Sequence, residues 1–371
     1  MASLCPKPVV PARTRVGWIG IGVMGGAMAT RLQAAGYALT VYARNPSKAA
    51  EFSKRGAHVA ASPAHVARAS DVVFTMVGHP SDVREVVLGG SGILSGFAAG
   101  GVIVDHTSSH PALAREIAAA ARGRGCWAVD APVSGGDIGA RDGKLAILAG
   151  GDRSVVEWLA PLLEIMGKTT YVGGAGCGQS CKIANQIAVS GSMLGLSEGL
   201  VFAEGAGLDL RRFVEAVEDG AAGSKVMELF GERMVRGDLR PGGFAEYVLK
   251  DLGMGLESGD GEVGVVLPGA ALYKQLYAAM VANGDGKLGT HGLITVIQRM
   301  NGKRALLRCT PPLRNIIPCH KPHNNIHYTK LWLENETCRI KLSVQLSNGL
   351  NTKRKLANQH CFSFGAILKP L

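Results

Sequence analysis

Short apolar runs alternate with alanine-rich stretches of helical spacing from about residue 16 to residue 174. The runs are rich in Val and Ile, which is typical of strands buried on both faces. The predicted strands span residues 16–19, 38–42, 72–76, 102–105, 127–130 and 145–149. The predicted helices span residues 25–35, 47–55, 62–68, 81–88, 111–122 and 154–166. This alternation predicts an α/β fold with a doubly wound, Rossmann-type parallel sheet.

The pattern changes near residue 176. From residue 178 onward the apolar residues recur at helical spacing, and no convincing strand pattern occurs before residue 302. The predicted helices span residues 182–205, 210–217, 244–257 and 270–283. The first is rich in Ala, Gly and Ser, and small side chains let neighbouring helices pack closely. We therefore predict that an all-α domain follows the sheet domain.

Residues 303–371 have a different composition. They contain no Asp and only 2 Glu, but 12 Lys and Arg residues. Pro and Asn residues interrupt them and no periodicity is sustained, so we predict an irregular, basic, disordered tail that cannot assemble a core. The predicted organisation is an N-terminal segment (1–13), a Rossmann domain (14–177), an all-α domain (178–302) and this atypical tail (303–371).

The formal net charge of +11 belongs mainly to the tail, because residues 1–302 hold 28 basic and 27 acidic residues. This balance gives no electrostatic reason to expect a nucleic-acid partner. No apolar run reaches the length of a membrane span, and residues 1–15 lack the apolar region of a secretion signal. We therefore expect a cytoplasmic protein that binds neither nucleic acid nor membranes. Because residues 1–15 are basic and acid-free, a short mitochondrial presequence is the alternative.

The eight cysteines are scattered along the chain. Cys177 and Cys181 are four residues apart and no CxxC pair occurs, which indicates reduced thiols in an intracellular protein. The tail also contains a group of possible zinc ligands, namely Cys319, His320, His323 and His327. No second ligand pair at a known spacing accompanies this group, so we predict no metal site.

A glycine-rich turn, Gly20-Ile21-Gly22-Val23-Met24-Gly25, follows the first predicted strand. A strand that passes through such a turn into a helix N-terminus forms an anion site. Gly20 permits the tight turn, Gly22 lets a pyrophosphate approach the backbone, and Gly25 lets helix and strand pack closely. The turn therefore predicts dinucleotide binding.

The end of the second predicted strand bears on the choice of cofactor. An NAD-specific site usually places an acid there to accept from the ribose 2′-hydroxyl. This chain has Arg44 and Asn45 instead, followed by Ser47 and Lys48. A guanidinium matches phosphate geometry, so Arg44 can hold a 2′-phosphate, although a solvated loop arginine is the alternative. We favour NADP(H), with NAD(H) as the second choice.

Hydroxyl side chains and glycines follow two later strands. Thr107 comes just after the strand at 102–105, where its hydroxyl can reach a nicotinamide ribose or a substrate. Hydroxyl side chains at this position can also cap the next helix, and Ser109 fits that role. After the strand at 127–130 comes Ser134-Gly135-Gly136, whose hydroxyl and successive N–H groups can form a nest for a carboxylate. The alternative for this segment is a tight turn.

Lys182 lies early in an otherwise apolar predicted helix, at the junction of the two domains. Asn185 and Gln186 follow three and four residues later, so they share its helix face. A lone lysine on a helix is usually solvated. A lysine between a glycine hinge and two amides is a better candidate for catalysis.

These motifs, in this order, resemble those of the β-hydroxyacid dehydrogenase family, which includes 3-hydroxyisobutyrate dehydrogenases and glyoxylate/succinic semialdehyde reductases. The resemblance covers about residues 14–302 and is strongest to a plant branch called 3-hydroxyisobutyrate dehydrogenase-like. Residues 244–252 resemble the family's late cofactor-contacting segment, and residues 284–289 resemble the element before its last helix.

The resemblance implies a role for each motif. Lys182 is then the catalytic acid and base. The residues expected to contact the substrate are Ser134, Gly135, Gly136, Asn185 and Gln186, the first three at its carboxylate. The residues expected to contact the cofactor are Gly20, Gly22, Val23, Met24, Gly25, Arg44, Asn45, Met76, Val77, Thr107, Phe244, Lys250 and Asp251.

Two positions depart from the family pattern. Gln186 stands where the family usually has Asn, and Thr107-Ser108 stands where it has a Ser-Thr pair. Both changes keep the type of hydrogen bonding. The longer Gln186 side chain therefore bears on the substrate more than on the reaction.

The predicted function is hydride transfer between NADP(H) or NAD(H) and a small β-hydroxyacid or its semialdehyde. We expect the substrate to be a small carboxylate. We also expect the chain to form a homo-oligomer that associates through the α domain. One alternative is a glyoxylate or succinic semialdehyde reductase. A non-catalytic dinucleotide-binding scaffold and an imine reductase are the others, and Lys182 argues against both because relatives of those kinds have lost or replaced the lysine.

Overall fold

The computed structural model describes residues 8–303. The predictions for the tail, including its cysteine and histidine group, lie outside the described residues, as does the start of the N-terminal segment.

Nine strands within residues 8–303 form one sheet in the order β3-β2-β1-β4-β5-β6-β8-β7, with β9 beside β8. The strands are β1 (Val16–Ile19), β2 (Leu39–Tyr42), β3 (His58–Val59), β4 (Val72–Thr75), β5 (Val102–Asp105), β6 (Trp127–Asp130), β7 (Val133–Ser134), β8 (Leu145–Gly150) and β9 (Gly167–Gly173). The strands from β3 through β6 are parallel, while β8 runs antiparallel to β6 and β7. The predicted doubly wound parallel sheet is therefore confirmed.

The prediction omits three of these strands. β3 and β7 contain two residues each, which is too short to show a period. β9 pairs with β8 alone and carries Lys168 and Thr170 at exposed positions, so it lacks the continuous apolar run of a central strand.

The helices surround the sheet and then form a layer of their own. They are α1 (Val23–Ala34), α2 (Pro46–Lys54), α3 (Pro63–Arg68), α4 (Pro80–Leu88), α5 (Ile93–Gly96), α6 (Pro111–Arg122), α7 (Gly136–Asp142), α8 (Arg153–Trp158), α9 (Ala160–Leu163), α10 (Cys177–Gly205), α11 (Leu210–Val217), α12 (Lys225–Arg236), α13 (Ala245–Ser258), α14 (Pro268–Ala282) and α15 (Ile294–Met300). A π-helical turn (Gly259–Val263) follows α13, and a 3₁₀ turn (Thr290–Leu293) precedes α15.

Two predicted helices differ from the structure by more than two residues at an end. The predicted helix 154–166 is divided into α8 and α9, because Pro161 has no N–H and lies in the first turn of the second helix. The long helix α10 begins at Cys177, five residues before the predicted start at 182. The prediction also omits α5, α7, α12 and α15. Helix α12 has clear end signals, since the Ser224 hydroxyl caps its start and Gly237, with φ of +69°, follows its end.

Successive residues of each central strand pack on opposite faces of the sheet, as the period of two requires. Trp18 and Phe74 belong to the core with α1, α2 and α7–α9, while Ile19 and Val73 belong to the core with α3–α6. A third core, formed by α10 to α15, includes the buried ring of Tyr277. The fold is thus a three-layer Rossmann domain followed by a helical domain.

Helix α10 is the one element among residues 8–303 that is long and apolar enough to cross a membrane. The prediction that no segment reaches this length is therefore wrong by that criterion. The helix packs on β8 and β9 at its start and against α12, α13 and α14 along its length. These are the contacts of a core helix in a globular domain.

A buried carboxylate holds the start of α10 on the sheet. Asp130, at the end of β6, accepts hydrogen bonds from the N–H groups of Gly176 (2.8 Å) and Gln179 (2.9 Å). A Cβ atom on Gly178 would lie 2.3 Å from the Asp130 carbonyl oxygen, so only glycine allows this approach. Burial raises the pKa of Asp130 to about 7, although both N–H donors oppose the rise.

We expect Asp130→Ala to lower the free energy of unfolding by about 2–4 kcal/mol, because it leaves two buried N–H groups without an acceptor. Asp152→Ala is the matched control. Asp152 caps the exposed start of α8 through Ser154 N–H (2.9 Å), and its loss should cost about 1 kcal/mol. Denaturant unfolding of both variants measures the difference, and equal losses would show that Asp130 is an ordinary cap.

Candidate functional site

Most of the predicted site residues lie at one edge of the sheet, where β1, β2, β4, β5 and β6 end; we call this the carboxyl edge. The chain proceeds from β1 to β2 and β3 on one side and then crosses to β4 on the other. A crevice forms outside the strand ends where the strand order reverses in this way. Gly20 directly follows β1, Met76 directly follows β4, and Thr107 lies two residues after β5. The structure therefore brings these three residues to the same crevice.

The glycine-rich turn has the shape that a pyrophosphate requires. Gly20 has φ of +96°, and a Cβ atom there would lie 2.2 Å from the Met76 carbonyl oxygen. A Cβ atom on Gly25 would lie 2.1 Å from the Gly20 carbonyl oxygen. By contrast, a Cβ atom on Gly22 would meet nothing within 4 Å, and no side chain caps α1 at this residue. The open space and the uncapped N–H groups of α1, which begins with Val23 and Met24, fit a phosphate group.

A stack of three rings lies beneath this turn. The rings of Trp18, Phe74 and His106 all pack against one another, with centroid distances of 5.3 Å (Trp18–Phe74), 5.4 Å (Phe74–His106) and 6.0 Å (Trp18–His106). The indole N–H of Trp18 donates to the Gly20 carbonyl at 3.2 Å. His106 Nδ1 donates to the Ala131 carbonyl at 2.6 Å, and burial lowers the His106 pKa to about 4. The stack is therefore uncharged and supports the turn from the core.

Arg44 lies at the end of β2 with 78% of its side chain exposed. Its guanidinium contacts the Asp82 carboxylate at 3.0 Å, and Asp82 also accepts from the His79 N–H at 3.2 Å. The Asn45 side chain caps α2 by accepting from the Ser47 N–H at 3.0 Å. The sequence shows no acid near the end of β2, but the fold brings Asp82 there from α4, and both of its oxygens are engaged.

Thr107 joins the ends of β4 and β5. Its hydroxyl oxygen accepts from the Val77 N–H at 3.0 Å, and its own N–H donates to Asp105 Oδ1 at 3.0 Å. Thr75 donates to the same carboxylate oxygen at 2.7 Å. Burial raises the pKa of Asp105 to about 6, and these hydrogen bonds oppose the rise. The Thr107 hydroxyl is among the groups that hydrogen-bond the Asp105 carboxylate, so this side chain connects Val77 with Asp105.

The segment Ser134-Gly135-Gly136 forms a turn between β7 and α7. Gly135 and Gly136 have φ of +127° and +63°, and a Cβ atom on Gly136 would meet nothing within 4 Å. A Cβ atom on Gly242 would lie 2.4 Å from Asp137 Oδ1, so the connection between α12 and α13 passes beside this turn. Successive N–H groups in such a turn form a concave site that suits an anion.

Lys182 is 8% exposed and belongs to a continuous chain of polar contacts. Its Nζ donates to Gln186 Oε1 at 2.9 Å, and Gln186 Nε2 donates to Asp251 Oδ2 at 2.8 Å. The other oxygen of Asp251 lies 3.2 Å from Lys250 Nζ, which also donates to the Ser108 carbonyl. Lys250 and Asp251, predicted as cofactor contacts, are thus connected to the predicted catalytic lysine.

Burial lowers the pKa of Lys182, and the nearby Lys250 lowers it further, while Asp251 raises it. The burial effect is the largest, because an ammonium loses much of its hydration inside a protein. A lysine with a lowered pKa can exchange a proton with a bound ligand nearer to neutral pH than a solvated lysine can.

The start of α13 meets the loop after β4. The Tyr247 ring lies edge-on to His79, with a centroid distance of 6.0 Å, and tilted against Phe244 at 5.7 Å. Lys287 Nζ lies 5.1 Å from the centre of the Phe244 ring. The helical domain therefore closes one side of the crevice. The sequence did not single out Tyr247, because its contact with His79 joins segments that lie far apart in the chain.

Residues 8–303 contain no group of three His, Cys, Asp or Glu side chains that could hold a metal ion. The three cysteines of this part of the chain, Cys126, Cys177 and Cys181, are free thiols.

Two family models match the chain in succession. Residues 15–174 match the NAD binding domain of 6-phosphogluconate dehydrogenase. Residues 176–297 match the model described as the NAD-binding domain of NADP-dependent 3-hydroxyisobutyrate dehydrogenase. The two matches meet next to the start of α10.

Named relatives are similar over most of their length. The chain is 59% identical over 302 residues to "Probable 3-hydroxyisobutyrate dehydrogenase-like 3, mitochondrial" of Arabidopsis thaliana, covering 81% of this chain and 93% of that protein. It is 39% identical to 2-hydroxy-3-oxopropionate reductase of Escherichia coli, covering 77% and 98%. The structure of Mycobacterium tuberculosis 3-hydroxyisobutyrate dehydrogenase with L-serine superposes with a TM-score of 0.71 at 26% identity, covering 77% and 99%.

Two adjacent glycines give a test of the turn. We expect Gly25→Ala to weaken NADPH binding by roughly tenfold or more, about 1.4 kcal/mol, because its Cβ would displace the Gly20 carbonyl. Gly26→Ala is the control, since a Cβ there would meet only Ile21 at 3.5 Å. Fluorescence titration with NADPH measures both variants. Equal affinities would mean that the close approach at Gly25 does not shape the site.

Proposed function

The chain belongs to the β-hydroxyacid dehydrogenase family, and we propose that Lys182 is the general acid and base of its reaction. The protein is an NAD(P)-dependent hydroxyacid oxidoreductase. The observation that carries the proposal is the buried Lys182 amine, whose polar contact is the neutral amide oxygen of Gln186.

A bound nicotinamide cofactor supplies or accepts the hydride at the substrate carbon. In the reducing direction, Lys182 holds a proton for the carbonyl oxygen, where negative charge develops. In the oxidising direction, its neutral amine accepts the hydroxyl proton. Burial lowers the pKa of Lys182, which makes the neutral form accessible for oxidation. Reduction is therefore expected to slow as pH rises through this pKa, and oxidation to accelerate.

We propose that the turn at Ser134, Gly135 and Gly136 holds the carboxylate of the substrate. The open space at Gly136 and the successive N–H groups of the turn suit an anion. A carboxylate bound there would hold the substrate in a fixed orientation relative to Lys182. The substrate class is a small β-hydroxyacid or its semialdehyde, of the 3-hydroxyisobutyrate kind. The L-serine bound to the mycobacterial structure, a small carboxylate with a β-hydroxyl, supports this class.

A glyoxylate or succinic semialdehyde reductase is the second candidate, and the similarity to 2-hydroxy-3-oxopropionate reductase favours it. Loss of NADPH absorbance on addition of glyoxylate, succinic semialdehyde or methylmalonate semialdehyde, compared with NAD(P)⁺ reduction on 3-hydroxyisobutyrate, distinguishes the two. No turnover of any of these compounds would contradict both substrate classes.

We further propose NADP(H) as the preferred cofactor. Arg44 is exposed at the end of β2, and the carboxylate near it, Asp82, is already engaged by Arg44 and His79. The guanidinium can therefore bind a 2′-phosphate. Among the described residues at the end of β2, no carboxylate is left unengaged to accept a hydrogen bond from a 2′-hydroxyl. The description of the second family model as NADP-dependent supports this choice.

The names of the plant relatives include the word mitochondrial, which supports the mitochondrial alternative over the cytoplasmic expectation. We also propose that the chain forms a homo-oligomer through its helical domain. Large apolar side chains exposed on this domain support the proposal, among them Phe202 at 77% and Met300 at 71%.

We expect Lys182→Ala to lower kcat by about 10²–10⁴-fold while NADPH still binds, because the acid and base are lost but the turn is intact. Lys225→Ala, at an exposed lysine of α12, is the control and should retain full kcat. Steady-state rates and NADPH titration measure both variants. Near-normal kcat in the Lys182 variant would remove this residue from the mechanism.

We expect Arg44→Ala to weaken NADPH binding by roughly 10- to 100-fold, as loss of a charge-assisted hydrogen bond implies, and to leave NADH binding nearly unchanged. Arg153→Ala, at an exposed arginine of α8, is the control. Titration of each variant with both cofactors checks the prediction. An equal loss for NADPH and NADH would assign Arg44 a general structural role.

A further inference from the structure

The amide of Gln186 has a single orientation that satisfies its neighbours. Its oxygen accepts from Lys182 Nζ at 2.9 Å and from Asn185 Nδ2 at 3.0 Å, so both lone pairs are used. Its nitrogen donates to Asp251 Oδ2 at 2.8 Å. A flipped amide would turn donors toward two donors and an acceptor toward a carboxylate.

Asp251 is the group that selects this orientation. An ionised carboxylate only accepts hydrogen bonds, so it requires the NH₂ end of the amide. Asp251 is 3% exposed and lies on α13, 65 residues from Gln186 in the chain. Lys250 lies 3.2 Å from its other oxygen and is itself bound to the Ser108 carbonyl. The carboxylate therefore accepts a hydrogen bond at Oδ2 and forms an ion pair, without a hydrogen bond, at Oδ1.

We propose that Asp251 is a positioning residue for Lys182 that acts through Gln186. Asp251 fixes the Gln186 amide with the amide oxygen toward Lys182. One N–H of Lys182 then donates to Gln186, and the other hydrogen or the lone pair of the amine can face the reacting oxygen of the substrate. This inference rests on the proposed role of Lys182 as acid and base. The family resemblance implies a cofactor contact for Asp251 and a substrate contact for Gln186, so the positioning of Lys182 is an additional role for both.

The arrangement also affects the protonation of Lys182. An amide oxygen stabilises the ammonium more than the amine, so the fixed amide opposes the effect of burial. The charged groups of the packed elements are Asp251 and Lys250 on α13, Asp130 at the end of β6 and Arg115 on α6, whose guanidinium lies near Gly176. Asp251 can therefore act in two ways, through the amide or directly by its charge.

A double-mutant cycle in the full-length enzyme with NADPH separates these two routes. Asp251→Asn is isosteric, but it must turn an NH₂ toward either Gln186 or Lys250. Gln186→Met keeps the length of the side chain and removes the amide. We expect each single variant to lower kcat for reduction by about tenfold or more, the cost of one hydrogen bond to a charged group. The double variant should be at most about twofold slower than Gln186→Met alone.

The pH profile of kcat gives a readout that a purely structural defect would not change. In both single variants the alkaline limb of the reduction profile should move to lower pH, because the ammonium of Lys182 has lost its acceptor. Glu257→Gln is the matched control, since it removes a negative charge from the exposed face of the same helix. The kcat of this control variant and the alkaline limb of its pH profile should equal those of the unmodified enzyme. NADPH affinity and thermal melting of each variant show that it is folded.

Unchanged kcat and an unmoved limb in folded Asp251→Asn would overturn the inference. The same holds if Asp251→Asn has its full effect in the Gln186→Met background, because Asp251 would then act by charge alone. Failure of the proposed function has a different signature, namely near-normal kcat in Lys182→Ala. That result would overturn the role of Lys182 and this inference with it.

Discussion

The structure depends on the buried carboxylate of Asp130, at the end of β6, which holds the start of α10 on the sheet. This side chain ends a sheet strand and accepts from the first N–H groups of the helix, so one hydrogen-bonded contact joins the two domains. Gln179, in the first turn of the helix, adds a second connection, since its amide donates to the Thr107 carbonyl at 2.7 Å and accepts from the Ser109 N–H at 2.8 Å. Lys182 follows on the next turn, so its position relative to the carboxyl edge is set by these bonds.

The same contact explains why glycine is needed at the domain junction. Gly176 has φ of +89°, and Gly178 has no room for a Cβ atom between the carbonyl oxygens of Asp130 and Leu148. A bulkier residue at either position would move α10 away from the sheet. Because Lys182 has no backbone freedom of its own within the helix, that displacement would reach the site directly.

Buried charges in the crevice are compensated by partners from both domains. Asp105 accepts from Thr75 and Thr107, whereas Asp251 lies between Lys250 and Gln186. Such groups are costly to bury alone, and each hydrogen bond recovers part of the lost hydration. Lys182 differs because its bonded partner is a neutral amide, and burial lowers its pKa. Each carboxylate thus has polar partners, while burial makes the lysine easier to deprotonate.

The sequence by itself determined the features that depend on local physics. The Val- and Ile-rich runs of β1, β4 and β5 and the turn at Gly20, Gly22 and Gly25 could be read directly, because strand burial and tight turns constrain neighbouring residues. The family and the reaction class followed from the order of such local motifs. The prediction missed the two-residue strands, β9 and the short helices α5, α7 and α15, because they lack a period or a long apolar run. It also missed α12, although the end signals of this helix are present in the sequence.

Tertiary structure alone decided the pairings between distant segments. Asp82 reaches Arg44 across 38 residues, and Asp251 reaches Gln186 across 65. Neither pairing produces a recognisable spacing in the sequence, because the sequence around an acid does not show which distant base or amide it will contact. The sequence therefore identified Lys182 as a candidate, and the packing of α13 against α10 determined which groups orient its amine.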